Sequence, residues 1–276
     1  MEQSNLILPH ILRRDNRIYV SPHNSLKPYI AHYTFTYPAG VELPARLTLI
    51  PDLSGCIVIK FDGNDLECNF FGPSTKTITV ENQQEMTPLM LFVEFLPAGA
   101  HQLFGYSLSD IADQVIPLED INHELKLQMA DTIFRYIDMN EYIVLLTNAM
   151  NRIFLTYLSK SKTAGTISNL ITYLYQNKDM NSVRKLSEAS QYSERHFNRL
   201  FYAATGTSTK RFLKLLRINQ TIKLFRDDAL SLTALAQLCG YYDQAHFIHD
   251  FKSVCEVTPS DFRSNLSEFY NEAFKF

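Results

Sequence analysis

The chain contains part of itself twice, and this constrains the fold of its C-terminal third more than any other feature. The stretch LSEASQYSERHFNRLFYAATGTSTKRF, from Leu186, aligns with LAQLCGYYDQAHFIHDFKSVCEVTPSDF, from Leu235. The second copy carries one extra residue in its turn. Beyond it the offset is fifty residues: His196 with His246, Phe197 with Phe247, Phe201 with Phe251, Phe212 with Phe262. Matched aromatics at one period imply two like-built units stacked in series.

Each copy has the same internal order. Val183 and Leu186, or Leu232 and Leu235, mark a short helix, with Ser182 and Ser231 as expected N-caps. A tight turn follows. A second helix then shows Phe197, Leu200 and Phe201, or Phe247 and Phe251, at helical spacing. In the second copy Ala236 and Gly240 lie four apart; the small residue lets two helices approach and the glycine permits a positive φ. Together these features predict a helix-turn-helix. The first copy has Ser187 and Gln191 at the same places, so its turn is expected to be strained or looser.

The second helices carry the candidate binding residues. Opposite Phe197 and Phe201 the first presents Ser193, Arg195, Asn198 and Arg199. Arginine can grip guanine O6 and N7, and asparagine adenine N6 and N7. The second presents Gln244, Ala245, Ile248 and His249. His196 and His246 complete the set, as phosphate contacts or local caps ahead of base readers. His246 and His249, with Cys239 and Cys255 nearby, raise the question of a metal. Two histidines three apart without carboxylate support make a poor zinc cage, and no metal or cofactor is expected. Charge points the same way as the helices. Residues 166–265 carry a formal charge of +4 and the remainder −7, which suggests a polyanionic partner at one end.

The first 120 residues read differently. LTLI, CIVIKF, LECNFFG, TITVEN and LMLFVEF are strand-length apolar runs bounded by turn formers, and predict a sandwich or barrel. From Ile121 the period becomes helical: Ile121, Leu125, Met129, Ile133 and Ile137, then Tyr142 to Leu158. The polar break from Ser159 to Gly165 predicts a domain boundary, giving units 1–160 and 161–276. After Thr166 only helices and tight turns are expected.

At this point the chain resembles the AraC/XylS family of bacterial transcription regulators. GYYDQAHFIHDFK, TPSDFR and TGTSTKRFLKLLRI carry the resemblance, which covers about Ile167 to Asn265. The segment from IPDLSG to IPLED is similar to the N-terminal domain of one subgroup. The resemblance implies an α+β chain: an N-terminal β-barrel, cupin-like domain with a helical pair, and an all-α domain with two helix-turn-helix units. It implies reading helices in successive major grooves, roughly 34 Å apart. Double-stranded DNA is the expected partner, with a small-molecule effector, a homodimer and RNA polymerase as further ones. Three positions depart from the family: His249 for a usual Arg, Glu256 for a Gly, Thr221 for an Ala.

The rival reading is a cupin-like ligand-binding protein or enzyme with a helical protein-docking tail. A cupin metal site needs two histidines one residue apart, whereas His10, His23, His32, His101 and His123 stand alone. A Gly-rich phosphate loop and a GxSxG elbow are lacking too, so catalysis is not expected. Tyr33, Phe35, Tyr37, Phe70, Phe71, Phe92 and Phe95 either line an apolar pocket or fill the core. The helical pair is the expected surface for self-association. No run approaches a membrane span and the N-terminus lacks a secretory pattern, so a cytoplasmic location with four reduced cysteines is expected.

Overall fold

The computed structural model describes residues 10–14, 17–36, 46–81, 89–161, 165–176, 182–225, 230–264 and 269–270. Tyr37 and residues 162–164 of the polar break lie outside them.

The N-terminal half is an antiparallel sheet backed by helices. Its strands are β1 (Ile11–Arg14), β2 (Arg17–Val20), β3 (Ile30–Thr36), β4 (Arg46–Leu49), β5 (Cys56–Phe61), β6 (Leu66–Phe71), β7 (Ile78–Glu81), β8 (Leu89–Phe95) and β9 (Val115–Pro117). Seven of them pair in the order β1-β2-β3-β8-β5-β6-β9. Hence β8 is inserted between β3 and β5, bringing Val93 opposite both Tyr33 and Ile57. Among the described residues this sheet is open and does not close into a ring; β1 and β9 are its edges. Alternation along β6 explains its burial: Leu66, Cys68 and Phe70 point inward while Glu67 faces solvent.

Helix α1 (Gly99–Phe104) follows β8, and α2 (Leu118–Tyr136) and α3 (Tyr142–Lys160) pack over the sheet. Leu125, Met129 and Ile133 on α2, and Leu146, Met150 and Phe154 on α3, join the sheet's apolar core. The four-residue step read in the sequence therefore marks the buried stripe. A kink at Asn122 (φ −154°, ψ 87°) breaks α2 near its start, where the Asn122 side chain accepts from the Leu125 backbone N–H. Tyr33, Phe35, Phe70 and Phe95 are core residues, and Phe71 and Phe92 are half-buried.

The C-terminal half contains α4 (Thr166–Gln176), α5 (Val183–Ser190), α6 (Glu194–Thr205), α7 (Thr209–Leu224), α8 (Leu232–Leu238), α9 (Gln244–Cys255) and α10 (Pro259–Ser264). One further element corrects the all-helical expectation: β10 (Phe269–Tyr270) runs parallel to β4, with Phe269 opposite Thr48. Together β10, β4 and β7 form a second, three-stranded sheet. A two-residue strand carries no readable periodicity, and its partner lies some 220 residues away.

The halves also meet through side chains. Ile50, Leu53 and Ala98 belong to the same apolar cluster as Phe197, Phe201 and Phe212. Arg211 donates to the Thr75 carbonyl at 2.9 Å, and Asn219 to the Pro51 carbonyl at 3.3 Å. The turn at Leu108–Asp110 lies against the end of α6, where a Cβ on Gly206 would stand 2.9 Å from the Leu108 carbonyl oxygen. The two hydrogen bonds fall on α7, and the Gly206 contact falls on the turn between α6 and α7.

Candidate nucleic-acid interface

The two repeats fold into two like units. α5 and α6 form the first, α8 and α9 the second, and α7 joins them. Side chains cap each helix start: Ser182 accepts from the Lys185 N–H, Ser193 from His196, Ser208 from Arg211, Ser231 from Ala234 and Asp243 from His246. Each cap satisfies a backbone donor that the helix itself leaves unpaired.

The cores repeat in space as in sequence. Phe201 and Phe212 meet edge-on at 5.1 Å between centroids, and Phe251 and Phe262 at 5.3 Å. The turns repeat as well. Gln191 and Gly240 are both left-handed, at φ 60° and 74°. The first turn thus keeps the same path with a non-glycine residue in it. Glu256, at the place of Gly206 in the first unit, is left-handed too, at φ 63°. Tyr192 packs its ring against His196 at 4.8 Å, as Tyr241 does against His246 at 5.3 Å.

This alignment identifies the extra residue of the second copy as Tyr242, just before the Asp243 cap. It is 93% exposed. The insertion places an exposed aromatic ring beside the start of α9.

On α6, Arg195 and Arg199 are exposed, and the Arg199 guanidinium lies 3.1 Å from His196 Nδ1. Ser193 is occupied as a cap. Asn198 is half-buried and accepts from Thr209 Oγ1 at 2.7 Å, so its carbonyl oxygen is turned to α7. On α9, Ala245, His246 and His249 are exposed. Gln244 accepts from Thr233 Oγ1 at 2.8 Å, and Ile248 packs partly on the C-terminal core. The arrangement leaves Arg195, Arg199, His246, His249 and Tyr242 with surface free for a partner. Cys239 and Cys255 are buried, and burial pushes the Cys255 thiol up to about 12. Among the described residues no three His, Cys, Asp or Glu side chains are grouped to hold a metal.

The geometry defines a class: a protein with two helix-turn-helix units in series on one joining helix. Comparison with known proteins refines it. Residues 186–265 match the family described as "Helix-turn-helix domain", and residues 19–117 one described as "Domain of unknown function (DUF6597)". An uncharacterized HTH-type transcriptional regulator of Haemophilus influenzae is 32% identical over 98 residues, which are 36% of this chain and 33% of that protein. The multiple antibiotic resistance protein MarA of Escherichia coli is 25% identical over 105 residues, 38% of this chain and 83% of MarA. This chain thus spans about a third of the Haemophilus protein and most of MarA. Among solved structures, the AdpA DNA-binding domain in complex with a target DNA covers 37% of this chain and 92% of its own, at 19% identity and TM-score 0.34. ToxT from Vibrio cholerae covers 86% and 93%, at 13% identity and TM-score 0.40. The C-terminal region is an AraC-type helix-turn-helix domain, and its relatives are AraC-family regulators.

Proposed function

We propose that the chain is a sequence-specific DNA-binding transcription regulator acting in the cytoplasm, with no catalytic role. One observation carries the reading: two capped second helices, built alike, each with cationic or imidazole side chains exposed on the face away from the shared core. Phosphate contacts would position the module and base-edge contacts would specify the site. Residues 161–276 form the DNA-binding part. Residues 1–160 bias its docking, through a small-molecule signal or through a homodimer in which α2, with Leu127 and Phe134 exposed, supplies contact area. RNA polymerase is the partner such a regulator would act upon.

A gel shift on duplex DNA at low and moderate salt tests the reading. Binding that weakens steeply with salt is expected, whereas a protein-docking tail would give no shift. Arg199→Ala should cost about 1–3 kcal/mol of specific binding and relax preference at one base pair. Unchanged sequences from a random-pool selection would remove Arg199 from the interface.

His249 stands on the outer face of α9 where the family has Arg. Imidazole offers fewer donors than guanidinium and no fixed charge. His249→Arg is therefore expected to tighten binding and to steepen the salt dependence by up to about one unit of slope. Identical salt titrations of variant and parent would place His249 away from phosphate.

A further inference from the structure

We propose that Asp250 is a positioning residue for the second reading helix, a buried carboxylate through which α7 fixes how α9 is presented to DNA. The inference rests on the regulator reading and deepens it. Asp250 sits on α9 and is 4% exposed. Lys214 Nζ lies 2.8 Å from its Oδ1, and Arg217 Nη2 lies 3.9 Å from its Oδ2. Both come from α7. From α9 itself, His246 Nε2 stands 3.6 Å away and His249 Nδ1 3.8 Å away. The same groups make further contacts. Arg217 lies over the Tyr241 ring at 5.1 Å, and Lys214 Nζ donates to Ser253 Oγ at 3.4 Å.

The repeat shows what this cluster replaces. Fifty residues earlier stands Leu200, which packs apolar surface on the C-terminal core. Both units seat their second helix on buried phenylalanines, but at this one position the first unit adds apolar contact and the second adds charge. Apolar contact tolerates small rotations, because it is non-directional. A buried carboxylate does not: its desolvation is offset only while the cations keep their places. Lys214 and Arg217 are three apart on α7, on one face, so together they restrict the roll of α9 about its axis. The histidines that face outward from α9 are the ones that flank this carboxylate. Hence the pose of the outer surface is tied to the buried pair.

The test uses the full chain with Asp250→Leu, which copies the first unit, and Asp250→Asn. Lys214→Gln approaches the pair from its half-exposed side and guards against a variant that fails to fold. Far-UV circular dichroism and the melting temperature establish folding. Footprinting and selection from a random pool then read each half of the bound site separately. Folded variants are expected to lose protection and base preference in the half read by α9 alone, with overall affinity falling roughly tenfold. Asp250→Glu should restore part of both. A general loss of stability would weaken both halves together, and that result would overturn the assignment. A wild type that binds while the folded variants keep its footprint also overturns it and leaves the regulator reading standing. A wild type that protects no duplex overturns both.

Discussion

Phe251→Ala is expected to destabilise the C-terminal region by about 3–5 kcal/mol and to abolish binding through the second unit. Phe251 is fully buried. Its ring meets Phe225 at 5.5 Å, Phe247 at 5.7 Å and Phe262 at 5.3 Å, each close to edge-on. Truncation removes transfer free energy, leaves a cavity, and deletes three ring contacts that favour this geometry. Phe247 is on α9 itself, Phe262 on α10, and Phe225 caps α7, so one ring ties three helices together. Urea denaturation reads the change. A midpoint within experimental scatter of the parent would mean that the cluster does not hold α9 in place. Phe201, its counterpart in the first unit, should behave alike but affect the other half of the bound site.

Gly206→Ala should cost clearly more than Gly240→Ala, and the difference measures the contact between the two halves of the chain. Both glycines are left-handed, at φ 73° and 74°. An alanine at either position carries a backbone penalty of about 1–2 kcal/mol. At Gly240 no atom of the described residues lies within 4 Å of the added Cβ, so the penalty stands alone. At Gly206 the Cβ would meet the Leu108 carbonyl oxygen at 2.9 Å and Ala112 Cβ at 3.1 Å. Those atoms belong to the N-terminal half. Relief requires the end of α6 to draw away from the Leu108–Asp110 turn, for an added cost of about 1–2 kcal/mol. Paired melting curves decide the matter. Equal losses for the two variants would mean that the halves do not press on each other at Gly206.

Much of the C-terminal region was legible in the sequence because the repeat reports three things at once. Its serines cap, its phenylalanines pack, and its left-handed turn recurs even where Gln191 replaces glycine. Strand positions in the N-terminal half were legible too, since CIVIKF and LMLFVEF coincide with β5 and β8. Their partners were not. Alternation tells which face of a strand is buried and nothing of its neighbour, so the insertion of β8 between β3 and β5 could not be read. The same limit hid Asn198's turn toward Thr209 and the pairing of Asp250 with Lys214. Each depends on a helix packed from elsewhere. Tyr242 was visible only as a length difference, and its exposure needed the left-handed turn before it.

The joining helix α7 has 16 residues, about 24 Å of rigid span, with Phe212, Leu215, Ile218 and Ile222 buried along it. Its start is anchored to the N-terminal half through Arg211, and its far portion leads to the second unit. For a regulator this changes the arithmetic of capture. Once one unit holds a duplex, the other no longer searches solution; it meets its groove at an effective concentration fixed by a stiff rod. Two weak grips then multiply instead of adding. The multiplication is lost when the spacing of the two grooves departs from the length of the rod, so in the proposed regulator the helix would serve as a ruler for operator spacing.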